Sequence, residues 1–270
     1  MPARLKNMIF LAICVVWLLP CHTFADGGPD SGQPWRVPGL GMNFVCVAPG
    51  SFMMGSNDGE DSEKPVHRVT IGKEYWIGRC EVTQNEYQRI MGSNPSYVKG
   101  INNPVEFVSW NDAVSFCQKL TDRERNAGRL PSGYEYRLPT EAEWEFAARG
   151  GTVSRGYKYS GGDNIDSVAW YIGNSGKAAH EVGTKSPNEL GICDMSGNVW
   201  EWCLDDWHDN YNGAPSDGSR WSSGTLARVI RGGAWYCSPR YFLVAFRGSY
   251  LTGCTYYYLG FRVVMGSISK

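Results

Sequence analysis

Histidine is scarce in this sequence, and neither sign of charge is in surplus. Its 270 residues hold four histidines, and 26 Lys and Arg stand against 27 Asp and Glu. Balanced charge without a basic patch leaves no electrostatic footprint for nucleic acid or anionic lipid, so both are set aside as partners. No phosphate-cradling Walker loop, dinucleotide fingerprint or Gly-x-Ser-x-Gly elbow occurs, which removes nucleotide use and the serine-hydrolase arrangement. His67, His180 and His208 lack the spacing that would bring two imidazoles to one helix face. Each reads as a surface or hydrogen-bonded residue rather than a ligand.

Long hydrophobic runs are also missing, except near the N-terminus. There Arg4 and Lys6 precede an apolar run from Met8 to Leu19, then Pro20 and Thr23-Phe24-Ala25. The run is too short to span a bilayer, and the three-part layout is that of a secretory signal over 1–25, with cleavage expected after Ala25. Lipid attachment at Cys21 is disfavoured because Pro20 replaces the small residue expected before it. Export to the periplasm or the exterior follows, with no membrane span in the remaining chain. Beyond the signal lie Cys46, Cys80, Cys117, Cys193, Cys203, Cys237 and Cys254. Export permits disulfides, and the odd number leaves one thiol unpaired or bonded to another chain.

What is plentiful is aromatic side chain and glycine: 11 Trp, 15 Tyr, 10 Phe and 33 Gly. With little sustained helical periodicity, this composition points to one loop-rich α+β domain over 43–266, packed on aromatics, after a flexible lead-in at 26–42. Residues 43–47 and 51–55, separated by Pro49-Gly50, read as a hairpin. Strands are expected at 67–71 and 75–80. Thr83 caps a helix running to Met91, with Glu86 completing a capping box, and a second helix opens at Ser109 or Asn111 with Ala113, Val114, Phe116, Cys117 and Leu120 on one face. A third helix is capped by Thr140 with Glu143 at its third position, and Gly150-Gly151 stops it. Residues 152–230 read as turns and short strands, a length that needs cations, disulfides or aromatic plugs to hold it. Closing strands are expected at 228–235 and 259–264. Cys46 and Cys80 fall on candidate neighbouring strands and could bridge.

Several ordered stretches carry a resemblance: Pro49-Gly50-Ser51-Phe52-Met53-Met54-Gly55-Ser56, Glu81-Val82-Thr83, Val108-Ser109-Trp110, Arg137-Leu138-Pro139-Thr140-Glu141-Ala142-Glu143-Trp144-Glu145, Gly197-Asn198-Val199-Trp200-Glu201-Trp202, Arg231-Gly232-Gly233 and Gly260-Phe261-Arg262. In that order and spacing the chain resembles the formylglycine-generating-enzyme, or sulfatase-modifying-factor, family across 43–264. The resemblance implies a C-type-lectin-like fold with little regular secondary structure and a structural calcium ion. Carried over by motif, the calcium ligands are Glu63, the Asp194 side chain, the Gly197 and Val199 carbonyls and the Glu201 carboxylate, an all-oxygen set of the kind Ca²⁺ takes. The competing reading makes Asp194 and Glu201 solvated turn residues or salt-bridge partners of Arg231 or Arg262. A second family calcium site is not expected, because Val168-Ala169-Trp170-Tyr171 does not reproduce its segment.

The family's oxidase chemistry converts a sulfatase cysteine to formylglycine with O₂ and one copper ion held by two thiolates, soft ligands suited to Cu(I). Its motif runs Arg-Gly-Gly-Ser, two residues, Cys, four residues, Cys. Here the chain reads Arg231-Gly232-Gly233-Ala234-Trp235-Tyr236-Cys237, with Phe242 at the second cysteine. Cys237 is the one catalytic candidate, and copper belongs only to an oxidase reading. Cys254 could supply a second sulfur or pair with Cys237 as a disulfide, the latter favoured by export. A related iron-using branch needs three histidines and an extra helical domain, neither of which fits.

Two functions stay open. One is a noncatalytic, calcium-stabilised module binding a polypeptide, possibly a sulfatase, or a glycan in a groove lined by Trp170, Tyr171, Trp200, Trp202, Trp235 and Tyr236. The other is a formylglycine-generating oxidase. The missing cysteine and serine favour the first, and fold alone decides neither.

Overall fold

The computed structural model describes residues 28–268, so the expected signal at 1–25 lies outside the described residues. Among the described residues, no helix is long and apolar enough to cross a membrane. Two sheets organise the chain, with helices packed at their sides. The first has five strands in the order β1 (Trp35–Arg36), β2 (Asn43–Val47), β5 (Tyr75–Gly78), β11 (Val264–Ser267) and β6 (Tyr134–Arg137), with antiparallel pairing throughout. Between β2 and β5 run β3 (Gly50–Met54) and β4 (His67–Ile71), which pair only with each other. The second sheet has four strands, β10 (Leu259–Gly260), β7 (Trp200–Asp206), β8 (Ala227–Arg231) and β9 (Arg247–Leu251).

The expected hairpin between 43–47 and 51–55 does not form. Both strands exist, but both edges of β2 are already taken by β1 and β5, so β3 has no ladder to join there and pairs with β4. The lead-in is also docked rather than trailing at its C-terminal end: Val37 is buried, and the Trp76 indole donates to the Gln33 carbonyl at 2.7 Å. The closing segment 259–264 divides. Leu259–Gly260 pairs in parallel with β7, whereas Val264 onward enters the first sheet, and Arg262 lies between the two with its side chain turned inward.

The capping boxes all form. Thr83 and Glu86 open α1 (Gln84–Met91), and Gly92, at φ 83°, ends it in the left-handed conformation that glycine accepts most readily. Ser109, not Asn111, caps α2 (Trp110–Asn126), with Asp112 as its reciprocal partner. Its Phe116 stacks on Tyr87 and meets Phe261 edge-on, which joins α1 and α2 to the core.

The helix α3 (Glu141–Ala148) is buried on every face, although it carries three carboxylates. Each of them meets an arginine from a strand. Glu143 takes Arg137 of β6 at 2.7 Å, Glu141 takes Arg247 of β9 at 2.7 Å, and Glu145 takes Arg231 of β8 as well as Arg149. Burying these ions is costly unless every lone pair is met, so the arginine pairs fix how the strands sit on α3. From 152 to 199 the chain is mostly turns, with only a short helix α4 (Ile165–Val168) and a 3₁₀ turn.

Candidate functional site: a tyrosine-lined cleft beside Cys237

The Arg-Gly-Gly stretch sets the site. Arg231 is fully buried and donates to the Val244, Ala245 and Phe246 carbonyls, which ties the loop between β8 and β9 to the sheet. Gly233 has φ 78°, and a Cβ there would stand 2.6 Å from the Phe242 ring. No other residue accepts both the backbone and that contact without a shift. The following turn closes with the Cys237 N–H donating to the Ala234 carbonyl at 2.7 Å.

Cys237 then faces a cleft of about 400 Å³ lined by Trp200, Tyr236, Tyr241, Phe246 and Tyr250. Cys237 is buried, with the Tyr236 and Trp200 side chains beside its sulfur. Burial pushes the thiol upward, and the Ala234 backbone, Tyr236 and Trp200 offset only part of the rise. A protonated thiol is a poor nucleophile and a poor metal ligand. Phe242 is packed away with 1% exposure, its ring 6.2 Å from Tyr171, and Ala234 is buried. Cys254 carries a free thiol next to Tyr256, and Cys237 is likewise unbonded, so the expected Cys237–Cys254 disulfide is not present. Among the described residues lining the cleft, Cys237 is the only sulfur. The donors present therefore do not fit a copper ion held by two thiolates.

Tyrosine dominates the rim. Tyr236 packs on Tyr258 at 4.5 Å, Tyr258 stacks on Tyr256 at 5.0 Å, and Tyr250 meets Tyr256 at 4.9 Å. Trp235 and the half-exposed Tyr257 extend the layer to the exposed Tyr97. In residues 236–258 the only charges are Arg240 and Arg247, and Arg247 is buried against Glu141. The expected groove is thus partly redrawn. Trp200 and Tyr236 line the cleft, but Trp202 is core, its indole donating to the Val108 carbonyl, and Trp170 lies stacked on His180. Tyr241, Phe246 and Tyr250 were not anticipated, although the run Thr255-Tyr256-Tyr257-Tyr258 is a visible signal of a ring-rich surface.

The expected calcium ligands come together only in part. Asp194 and Glu201 are neighbours, joined by Glu81 and Arg262. The Glu201 carboxylate is engaged by Arg262, at 2.6 Å to each oxygen, and by the Trp144 indole at 2.7 Å. This is the salt-bridge alternative for Glu201, with Arg262 as the partner. Asp194, in a left-handed conformation at φ 58°, accepts the Gly183 N–H at 2.6 Å, and burial holds its carboxyl above the usual range. Glu63 stands elsewhere. It is buried in a 3₁₀ turn, where it accepts the Glu60 N–H, and Arg231 and Glu145 are the charged groups near it. The Gly197 N–H donates to the Gly232 carbonyl and the Asn198 N–H to the Trp170 carbonyl, so the turn preceding Val199 is braced by the chain itself. Glu63 therefore stands apart from Asp194 and Glu201, and the five expected ligands do not gather into one oxygen cage.

Residues 36–266 match the family described as "Sulfatase-modifying factor enzyme 1-like domain". The chain belongs to that family. It is 32% identical to "Chaperone protein LppX" of Paenibacillus barcinonensis, over 91% of this chain and 93% of the relative. It is 34% identical to the formylglycine-generating enzyme of Streptomyces coelicolor, over 82% of this chain and 66% of the enzyme. In three dimensions it resembles Treponema denticola variable protein 1, with a TM-score of 0.74 and 31% identity over 86% of this chain and 98% of that one. PvdO from Pseudomonas aeruginosa gives a TM-score of 0.74 and 31% identity over 88% and 99%. The α+β, C-type-lectin-like sulfatase-modifying-factor fold expected from the motifs is therefore the fold of this chain.

Proposed function

We propose that this sulfatase-modifying-factor protein is a noncatalytic recognition module, exported from the cell, that binds a polypeptide over the tyrosine-lined cleft. The observation that carries the reading is the cleft itself: one buried thiol at Cys237, Phe242 packed where the oxidase motif has its second cysteine, and five aromatic rings among the lining residues. Tyrosine supplies large, rigid, amphipathic contact area at low entropic cost, which suits protein contacts. A surface with Arg240 as its one exposed charge between 236 and 258 selects by shape and hydrogen bonding rather than by steering. The likeness to a protein named as a chaperone supports a polypeptide over a glycan. Rigidity comes from the Glu201–Arg262 pair and the arginines around α3, so binding is expected to survive calcium chelation.

The test is binding of the mature protein to a peptide array and a glycan array in parallel, with Tyr236→Ala and Tyr250→Ala as controls. Peptide binding lost in both variants supports the reading. Binding of glycans alone overturns the choice of ligand. Cu(I) uptake through Cys237 and a second thiolate, with conversion of a sulfatase cysteine peptide to formylglycine, overturns the noncatalytic reading in favour of the oxidase.

A further inference from the structure

We propose that Cys80 and Cys193 are a disulfide-forming pair that staples the end of β5 to the turn carrying Asp194. The backbone sets them side by side: the Cys193 N–H donates to the Arg79 carbonyl at 2.8 Å, and Arg262 donates to the Cys193 carbonyl at 3.1 Å. Each thiol is the strongest electrostatic neighbour of the other. Both sulfurs also crowd the same face of Gly183, where an added Cβ would lie 3.3 Å from Cys80 Sγ and 3.9 Å from Cys193 Sγ. Both are free thiols in this structure, and two thiols brought to one place by neighbouring backbone are positioned to close a disulfide.

Access is one-sided. Cys80 is partly exposed and lines a cleft of about 260 Å³ with Arg79, Glu81 and Gly183, whereas Cys193 is buried at 1% exposure. The oxidant is a small disulfide such as oxidised glutathione. The Cys80 sulfur attacks it and expels one glutathione thiolate, and the Cys193 sulfur then attacks Cys80 and expels the second. The two thiol protons pass to the two glutathione thiolates, so two thiols and one disulfide become one disulfide and two thiols. The Cys193 contact and burial hold the Cys80 thiol above its ordinary value, so the first attack is the slow step and quickens as pH rises.

The staple has a local task. Beside it the Glu81 and Asp194 carboxyls lie against each other in the interior, both pushed up by burial, and neither Glu81 oxygen has a donor of its own. The cross-link ties the two segments that carry these carboxyls and closes a long loop in the unfolded chain.

The test uses the mature protein treated with oxidised glutathione, alkylated, and digested without reduction. The expected product is a linked peptide pair containing unalkylated Cys80 and Cys193, lighter than the dithiol by two hydrogens. Recovery of both cysteines alkylated, or of Cys80 joined to Cys46, overturns the proposal. The oxidised protein is expected to melt about 5 °C or more above the reduced protein. That gap should vanish in Cys80→Ala, whose truncated side chain is partly exposed. A linked pair with no gap refutes the stapling role.

Discussion

Replacing Arg262 by methionine tests how the turn at 194–201 is held. Arg262 is fully buried, and its Nε and Nη2 each donate to Glu201 at 2.6 Å. Its Nη1 donates to the Gly78 carbonyl at 3.0 Å and Nη2 also to the Cys193 carbonyl at 3.1 Å. Methionine is flexible and close in length, so the cavity left behind is small and the loss is mainly electrostatic. Stripping one partner from a buried pair costs about 3–5 kcal/mol, because Glu201 then keeps only the Trp144 indole. Two orphaned carbonyls add about 1 kcal/mol each. The sum, about 5–7 kcal/mol, approaches the whole stability of many domains. Urea denaturation followed by tryptophan fluorescence should show a midpoint lowered by about 2 M or more, or a chain already unfolded in buffer. Glu201→Met with Arg262→Met removes both charges and is expected to be more stable than Arg262→Met alone. A single variant within about 1 kcal/mol of wild type, or a double variant no better than the single, would refute this account of the turn.

Other outcomes follow from the same geometry. Asp205 is buried, and desolvation together with the nearby Glu141 charge raises its carboxyl to about 7, against N–H donors from Trp221 and Glu141. Its folded value lies above the unfolded one, about 3.9, so the native state binds the extra proton between roughly pH 4 and 7 and this contribution to stability fades as pH rises through that window. Urea midpoints of Asp205→Asn should therefore change less with pH across that range than wild type, and an equal slope would assign the effect elsewhere. Because burial holds the Cys237 thiol high, alkylation with iodoacetamide should be slow at neutral pH and accelerate only above the ordinary thiol range. Rapid labelling at pH 7, read by mass spectrometry, contradicts the buried thiol. Tyr236→Ala and Tyr250→Ala, at half-buried positions on the cleft, should weaken peptide binding about tenfold or more while moving the melting temperature little. Titration calorimetry giving unchanged affinity would place the ligand on another face.

The capping boxes at Thr83 and Thr140 were legible because each is a contact between residues three apart, complete within the local sequence, whereas the choice of Ser109 over Asn111 came from the structure. The strand at 43–47 was legible for a similar reason, but its partner was not. Whether it pairs with 50–54 or with 75–78 depends on which edges are free after the chain has returned, and nothing local records that. The same limit applied at the site. Cys237 and the missing second cysteine could be read from the motif, but the walls contributed by Tyr241, Phe246 and Tyr250 appear only when β9 lies against β8. The sequence by itself determined the family, the helix starts and the absence of a two-thiolate motif, since these reside in residue identity and short spacing. Tertiary structure alone decided that Glu201 is engaged by Arg262, that Glu63 stands apart from Asp194, and that Cys80 faces Cys193 rather than Cys46. Those contacts join residues far apart along the chain, where the balance of burial, charge pairing and free strand edges selects the partner and local pattern does not.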